Sequence, residues 1–365
     1  MSTFWADVGQ PRFVASPMVD QSEYAFRQLC RRYGAELCYT PMLHAKVLVS
    51  DATYRATRLD VVPGEGPTVV QLAGDDPKVL LAAAELVQEH AAAVDLNLGC
   101  PQPIARKGHY GSYLLREPDA IVAILQTWRQ HLSVPATCKI RIVDEGSPDP
   151  QNRGLQATLR LVDQIEAAGA AALTVHGRNR VMSGKKTGAA DWLAIAAIKQ
   201  RTSLPIIANG NIETLNDVAA CLAVTGADAV MSAEALLENP ALFSGQSFDP
   251  CTLATEYLAL AAASPFAEVN FHRVEKAHVV RILHAPMRQL ARTAPALDTT
   301  SLLSGATCID DLQHAVDLIA AADRGRPSAA DSWYRRHRGP LADEPRSARK
   351  DIQRQWLAGG LRLTR

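Results

Sequence analysis

Short apolar runs recur along the first 240 residues and alternate with segments of helical spacing. The strand-like runs are Arg12–Ser16, Glu36–Tyr39, Thr68–Ala73, Val94–Leu98, Ala136–Ile142, Ala172–His176, Leu204–Ala208 and Ala229–Ser232. Helical spacing follows most of them, in Glu23–Arg32, Pro77–His90, Pro118–Leu132, Leu155–Ala168 and Leu215–Thr225. Eight such repeats predict an α/β fold, a (β/α)8 TIM barrel of parallel strands. An open doubly wound sheet is the alternative, but no G-x-G-x-x-G follows the first strand.

The strand pattern ends near Asn239-Pro240, and the rest of the chain has a different character. The segments Leu253–Ala263, Phe271–Ala291 and Ile309–Ala322 have amphipathic helical spacing. We therefore expect three parts: a TIM-barrel domain over residues 1–240, a smaller helical domain over 241–323, and a basic tail over 324–365. The tail is too rich in Pro, Arg and Ser to bury a core, so we expect it to be flexible.

The formal net charge of the chain is zero, but basic residues are concentrated in the tail. From Arg324 to Arg365 there are eleven Lys and Arg against four Asp and Glu, so this part carries +7 and the preceding part −7. Trp333 and Tyr334 stand beside the basic run Arg335–Arg338, an arrangement typical of nucleic-acid contacts. The tail is therefore expected to bind a polyanion, with a merely solvated terminus as the alternative.

Composition and length indicate an intracellular protein that is large enough to be an enzyme and that has no metal site. At 365 residues and 47% hydrophobic content the chain can bury a large core. No apolar run reaches the roughly 18 residues of a membrane helix, and the N-terminus lacks signal or transit features. We expect a cytoplasmic or nuclear location, an organelle remaining open, and no membrane. Seven cysteines without a C-x-x-C pair argue against a disulfide framework and against zinc. We predict no metal site and infer no obligate protein partner.

Polar residues follow the predicted strands at their carboxyl ends, where barrel enzymes place their chemistry. In chain order they are Pro17-Met18, Gln71, Asn97 with Cys100, Lys139 with Arg141, His176 with Arg178, Asn209-Gly210-Asn211, and Ser232-Ala233-Glu234. The last two loops commonly cradle phosphate in barrels, so this ring indicates a phosphorylated cofactor. Lys139, set among apolar neighbours, needs an anionic partner, which the N1–C2=O edge of a reduced flavin supplies. A structural Lys–Glu pair is the alternative.

Single residues in this ring also have simpler interpretations. Cys100 could be an inert thiol, but its place in a strand-terminal Asn-x-Gly-Cys-Pro loop favours catalysis. His176 could be a satisfied core group, and its position beside Gly177-Arg178 is what favours a functional role.

These residues carry a specific resemblance to a known family. The segments SPMVDQSEYAFR, YTPM, VVQLAG, DLNLGCPQ, GHYGSYL, KIRI, HGR, GAADW, IANGNI and VMSAE occur in this order over about 230 residues. The chain resembles the tRNA-dihydrouridine synthases. The Cys-Pro-Gln loop, the run GHYG and VMSAE resemble the eukaryotic branch, which reduces neighbouring D-loop uridines at tRNA positions sixteen and seventeen.

The resemblance implies a set of functional residues. FMN would be bound by Ser16, Pro17, Met18, Gln71, Asn97, Lys139, His176, Asn209, Gly210, Asn211, Ala233 and Glu234. Cys100 would donate a proton, and Arg141 and Arg178 would face tRNA or phosphate. NADPH or NADH would reduce FMN, a hydride would pass to uridine C6, and the thiol would protonate C5. A uridine within tRNA must leave its stack to react, so a helical domain beside the barrel mouth would serve to bind the tRNA.

Two departures from the family pattern concern turns. Ala235 stands where glycine usually follows Ala-Glu, and Pro103 stands where glycine usually follows Gln102, so both turns lose backbone freedom. Two other function classes remain open. One is a free-pyrimidine flavin enzyme of the dihydroorotate or dihydropyrimidine dehydrogenase kind, which needs no basic helical extension. The other is a catalytically inactive RNA-binding barrel, which would be colourless.

Overall fold

A computed structural model describes residues 3–144, 154–266, 273–322 and 331–335. The strands are β1 Phe13–Ala15, β2 Leu37–Tyr39, β3 Leu43–His44, β4 Thr68–Ala73, β5 Ala93–Leu98, β6 Ala136–Arg141, β7 Leu173–His176, β8 Ile206–Asn209 and β9 Ala229–Ser232. The helices in the first part are α1 Thr3–Asp7, α2 Tyr24–Arg32, α3 Ala45–Ser50, α4 Ala52–Arg58, α5 Pro77–Val87, α6 Pro103–Lys107, α7 Pro118–His131, α8 Leu155–Ala168, α9 Trp192–Arg201, α10 Leu215–Thr225 and α11 Glu234–Glu238. Those after it are α12 Pro250–Ala262, α13 Arg273–Ile282, α14 His284–Thr293, α15 Thr299–Gly305 and α16 Ile309–Ala322.

Eight parallel strands close into a barrel, which confirms the predicted fold. β1 pairs with both β2 and β9, and β2 pairs with β4, so the ring runs β1, β2, β4 to β9 and back to β1. The short β3 also pairs with β4, one step further toward the carboxyl end. Pro41 separates β2 from β3 because proline cannot donate the next ladder hydrogen bond. The sequence had indicated a single strand there.

Alternation along the strands divides the side chains between the barrel interior and the surrounding helices. At the amino end the interior is apolar and includes Val14, Leu37 and Val69, with Phe4 of α1 packed beneath them. At the carboxyl end the interior turns polar, so the apolar layers support a polar mouth. The outward residues form the large core shared with the helices.

Several helices match the expected ends, and others were missed. Gly169 and Gly226 end α8 and α10 in the left-handed conformation, as the helix-stop signals predict. The helices α3, α4 and α9 were not foreseen, since each is short or has weak periodicity. Within the described residues no helix is both long and apolar enough to cross a bilayer.

Helices after Pro240 pack beside the barrel rather than apart from it. α12 lies against α2, and α13 contacts α11. At this junction Glu23 accepts hydrogen bonds from the Tyr257 hydroxyl at 2.8 Å and from His278 Nε2 at 3.0 Å. The ring of His278 also stacks on Phe26. The expected single helix Phe271–Ala291 is divided at Leu283 into α13 and α14. The proposed boundaries at 240 and 323 stay a prediction.

Part of the predicted flexible tail is folded against the barrel. Arg335 pairs with Glu213, and its side chain is only 9% exposed. Arg335 is therefore paired with a carboxylate of this chain, and the expected role of the basic tail in RNA binding stays a prediction. The basic residues from 336 onward lie outside the described residues.

Candidate active site

The carboxyl ends of the strands bring polar side chains together inside the barrel mouth. Asn97 on β5 stands in register with Lys139 on β6, and His176 on β7 stands in register with Asn209 on β8. Gln71 projects from β4 on the same side. All of these except His176 are buried. Parallel pairing thus converts residues far apart in sequence into one polar cluster.

Lys139 is a buried cation without a carboxylate partner among the described residues. Its Nζ donates a hydrogen bond to Asn209 Oδ1 at 3.0 Å. The pKa of Lys139 is lowered to about 7, first by burial and then by the charge of Arg141, with Asp95 partly opposing both. An electron-rich ligand atom placed beside this buried amino group would stabilise its charged form. Among the described residues, Lys139 therefore does not form the structural Lys–Glu pair that was the alternative interpretation.

Arg141 and Arg178 lie side by side toward the outer part of the mouth. Arg141 Nε donates to Gly99 O at 2.7 Å, and Arg178 Nε donates to Gly188 O at 2.9 Å. Burial and the charge of Arg178 lower the pKa of Arg141 to about 10. Two cations held close together by backbone carbonyls favour the binding of an anion.

The contact between His176 and Arg178 determines which nitrogen of the His176 ring carries the proton. Arg178 Nη1 lies 3.0 Å from His176 Nε2. A guanidinium has only donors, so Nε2 of His176 accepts and the imidazole is neutral with its proton on Nδ1.

A cavity of about 440 Å³ opens beside the two arginines. Its walls come from the ends of β6 to β9, the loops that follow them and the loop after β5, and include Arg141, His176, Arg178, Asn209–Ile212 and Met231–Glu234. Gly210 has φ +116°, and a Cβ added there would lie 2.7 Å from the Cβ of Ala190. Only glycine lets the backbone of this cavity-lining turn pass so close to Ala190 and His176. The loops after the seventh and eighth barrel strands are where barrels bind phosphate.

These features fit FMN. Lys139 would hold the N1–C2=O edge of the flavin ring, and Gln71 and Asn97 beside it offer further polar contacts. The cavity lined by Asn209 to Asn211 and by the backbone of Ala233-Glu234, with Arg178, would hold the phosphate.

Cys100 sits on a loop whose position is fixed by hydrogen bonds from both sides. Asn97 Oδ1 accepts from the backbone N–H of Gly99 at 3.1 Å and of Cys100 at 3.0 Å. The carbonyl of Cys100 accepts from Ser112 N at 3.0 Å and Oγ at 2.9 Å. Gly111 has φ +70°, and a Cβ there would come within 2.7 Å of the Cys100 carbonyl. The thiol is thus carried by a well-anchored turn.

A second cavity, of about 380 Å³, lies on the other side of the Cys100 loop. Cys100, His44 and Tyr110 line it from the barrel, and Val274 lines it from α13. Gln102 lines both cavities. A ligand entering between the barrel and the C-terminal helices would therefore meet the half-buried thiol of Cys100.

The model of the family described as "Dihydrouridine synthase (Dus)" matches residues 13–293. The chain belongs to the dihydrouridine synthase family. The resemblance found in the sequence is thereby confirmed, and the match covers the barrel and the first C-terminal helices.

Individual dihydrouridine synthases are similar over most of this chain. A mouse protein (Mus musculus) named as tRNA-dihydrouridine(16/17) synthase-like and NAD(P)-dependent is 42% identical over 328 residues, covering 88% of this chain and 67% of the mouse protein. The tRNA-dihydrouridine(16/17) synthase of Saccharomyces cerevisiae is 47% identical over 244 residues, covering 65% and 55%. A human tRNA-dihydrouridine(20a/20b) synthase-like protein is 33% identical over 299 residues, covering 81% and 89%.

Most of the predicted site residues of this dihydrouridine synthase come together, and those after β1 adjoin the cavity through Ser232, which lines it. Ser16 N donates to Ser232 O at 3.0 Å, and Met18 N donates to Ser22 Oγ at 3.0 Å. Ser16, Pro17 and Met18 line neither cavity, and the same holds for Gln71, Asn97 and Lys139, which lie deeper in the barrel. Their role in FMN binding stays a prediction. The absence of a metal also stays a prediction, although no cluster of metal-ligating side chains occurs within the described ranges.

The two departures from the family pattern are accommodated. Pro103 is the first residue of α6, where a missing N–H is tolerated. Ala235 is buried in α11 with ordinary helical backbone.

Asp95 is a site residue that the sequence reasoning missed. It is fully buried, and burial raises its pKa to about 6. Its Oδ2 accepts from Gln71 Nε2 at 2.9 Å, and its Oδ1 accepts from Thr137 Oγ1 at 2.7 Å. Gln71 Oε1 then accepts from Asn97 Nδ2 at 2.7 Å. The carboxylate therefore sets the orientation of both amides and, through Asn97, of the Cys100 turn. The sequence did carry one signal: two-residue alternation in Asp95-Leu96-Asn97 places Asp95 on the same face of the strand as Asn97.

Asp95→Leu is expected to lower the free energy of unfolding by about 2–4 kcal/mol, because it leaves the buried donors of Gln71 and Thr137 unpaired. Asp95→Asn keeps an acceptor for Gln71 and should cost about 1 kcal/mol or less, since it also removes a buried charge. Urea unfolding of both variants measures the difference. Equal losses would show that the hydrogen bonds of Asp95 do not support the mouth.

Proposed function

We propose that this dihydrouridine synthase reduces uridine in tRNA to 5,6-dihydrouridine, with FMN as the bound cofactor and NADPH or NADH as the reductant. The observation that carries the proposal is the position of Cys100, which lines the cavity open toward the C-terminal helices, on a loop whose Gln102 also lines the cavity proposed here for the flavin phosphate. The names of the mouse and yeast relatives favour D-loop positions 16 and 17 as the target.

The reaction needs a hydride and a proton at adjacent carbons of the uracil ring. Bound FMN would supply the hydride chemistry at C6, with its electrons coming from the nicotinamide. Cys100 then has the task of giving its Sγ proton to C5, which saturates the C5–C6 bond and leaves a thiolate. The thiol is half-buried, so it can recover a proton from solvent between turnovers.

The remaining mouth residues position these groups. Asn97 fixes the backbone of the Cys100 turn, and Arg141 grips the same turn through the Gly99 carbonyl. Arg141 also holds the loop after β7 through the carbonyl of Asn179 at 3.0 Å. Loss of either contact would let the thiol move relative to the base, which is costly because proton transfer requires close approach.

A uridine inside folded tRNA must be extruded to reach this depth. The second cavity opens between the barrel rim and Val274 of α13, so the C-terminal helices flank the entrance. The basic residues beyond 335 supply positive charge for the tRNA backbone.

The direct test combines the purified chain, NADPH or NADH, and an unmodified tRNA transcript. We expect a yellow protein and dihydrouridine in the D-loop, detected by mass spectrometry of the digested RNA. Free uridine and uracil are the matched substrates, and their reduction in place of tRNA would instead support a free-pyrimidine enzyme. A colourless protein that binds tRNA would contradict the flavin-dependent reaction.

Truncation after Arg335 is expected to weaken tRNA binding and to flatten its salt dependence. The removed residues 336–365 contain eight Lys and Arg against three Asp and Glu. Each lost phosphate contact removes roughly 0.7 to 0.9 from the slope of log affinity against log salt. Affinities at several salt concentrations measure this effect, and flavin absorbance serves as the folding control. Identical slopes for both proteins would place the RNA surface elsewhere.

A further inference from the structure

The pentapeptide Asp331–Arg335, here called the strap, is anchored to the rest of the protein by ion pairs at both ends. Arg292 forms two hydrogen bonds with Asp331, at 2.8 and 2.7 Å. Glu238 Oε2 accepts from the Ser332 hydroxyl at 2.7 Å and from the backbone N–H of Tyr334 at 2.9 Å. The guanidinium of Arg335 binds both oxygens of Glu213. Such a set of contacts fixes both the path of the strap and its distance from the barrel.

The strap reaches the cavity assigned to the flavin phosphate. Tyr334 lines that cavity together with Asn211 and Glu234, and it is only 6% exposed. A residue from the extreme C-terminal part of the described chain therefore completes a wall whose other parts come from barrel loops. Nothing in the barrel pattern indicates this contribution, because the strap lies about 100 residues beyond the last strand.

Two carboxylates lie at this wall, and Arg335 offsets the negative charge of one of them. Glu234 lines the cavity, and Glu213 directly follows the lining residue Ile212. A phosphate placed here would be repelled by both carboxylates at short range. The bidentate pair with Arg335 offsets the charge of Glu213, whose side chain is 20% exposed and therefore only partly screened by water.

We propose that the strap is part of the cofactor site: Tyr334 forms the outer wall of the phosphate cavity, and Arg335 neutralises Glu213 so that a phosphate can bind beside it. The inference rests on the proposed binding of FMN. It gives the strap a role in holding the cofactor, separate from any contact that residues 336–365 make with RNA.

The test compares FMN with riboflavin, which has the same ring and no phosphate. Dissociation constants for the flavin-free full-length protein follow from quenching of flavin fluorescence. Arg335→Met should weaken FMN about tenfold, equal to about 1.4 kcal/mol, and should leave riboflavin nearly unchanged. Glu213→Gln should bind FMN as tightly as the unaltered protein or more tightly. The double variant should recover most of the loss.

Tyr334→Ala should weaken FMN severalfold, because it opens the wall to water, while Tyr334→Phe keeps the wall. Arg201→Met is the matched control, since Arg201 forms a bidentate pair with Asp163 at 2.8 Å on the outside of α8 and α9, away from the cavity. It should change neither constant.

Equal weakening by Arg335→Met and Glu213→Gln, for both ligands, would mean that the pair only supports the fold, and the inference would be wrong. Unchanged FMN binding in every strap variant would also overturn it. If the unaltered protein binds neither FMN nor riboflavin, the proposed function itself fails.

Discussion

Cys100→Ala is expected to lower the single-turnover rate of dihydrouridine formation in tRNA by about 10² to 10⁴, the usual contribution of a positioned proton donor. FMN should stay bound and should still be reduced by NADPH, because the Cys100 side chain lies toward the second cavity and not the phosphate cavity. Flavin reduction followed by absorbance, and dihydrouridine measured by mass spectrometry, separate the two half-reactions.

Cys308→Ala is the matched control for this variant. Cys308 is the other half-buried cysteine of the described residues, and it lies just before α16, remote from the mouth. Its replacement should leave both half-reactions unchanged. Dihydrouridine formation at the native rate in Cys100→Ala would remove the thiol from the mechanism.

Lys139→Met is expected to lower the flavin reduction potential by roughly 30 mV or more, equal to about 1.4 kcal/mol for a two-electron couple. The substitution removes the buried cation that would stabilise negative charge gained by the flavin ring on reduction. Reduction by NADPH should slow about tenfold with FMN still bound. A potential measured by dye equilibration, identical to that of the unaltered protein, would show that Lys139 does not contact the flavin.

The protonation of Lys139 gives a second signature of the same contact. Its pKa of about 7 means that the flavin-free protein loses this charge as the pH rises through neutrality. FMN affinity should therefore fall between about pH 7 and about pH 9, and this fall should vanish in Lys139→Met. Asp95 titrates below this range, at about 6, and Arg141 titrates above it, at about 10. Lys199→Met, which breaks a pair with Asp228 near the amino end of the strands, is the control.

The barrel was predictable because its signal repeats. Each strand buries both faces, so apolar runs such as Thr68–Ala73 stand out, and glycines such as Gly169 mark where helices end. The division at Leu283 was not predictable, since the apolar spacing continues through it. The strap was missed for a different reason: its composition is that of a solvated tail, and it is held in place by tertiary contacts with Glu213, Glu238 and Arg292.

The candidate site was predictable where strand ends carry polar residues in register. Asn97, Lys139 and Asn209 were found in this way, and the structure brings them together. Asp95 was missed because a single acidic residue inside a strand gives no indication of its partners. Its function depends on Gln71 and Thr137, which come from neighbouring strands.

The most direct test of the flavin-dependent tRNA reaction is a single turnover with protein reduced beforehand and freed of excess NADPH. When this protein is mixed with a stoichiometric amount of unmodified tRNA transcript, flavin absorbance should return at the same rate as dihydrouridine appears in the D-loop. Recovery of the absorbance without any change in the RNA, or with reduction of added free uracil instead, would contradict the account.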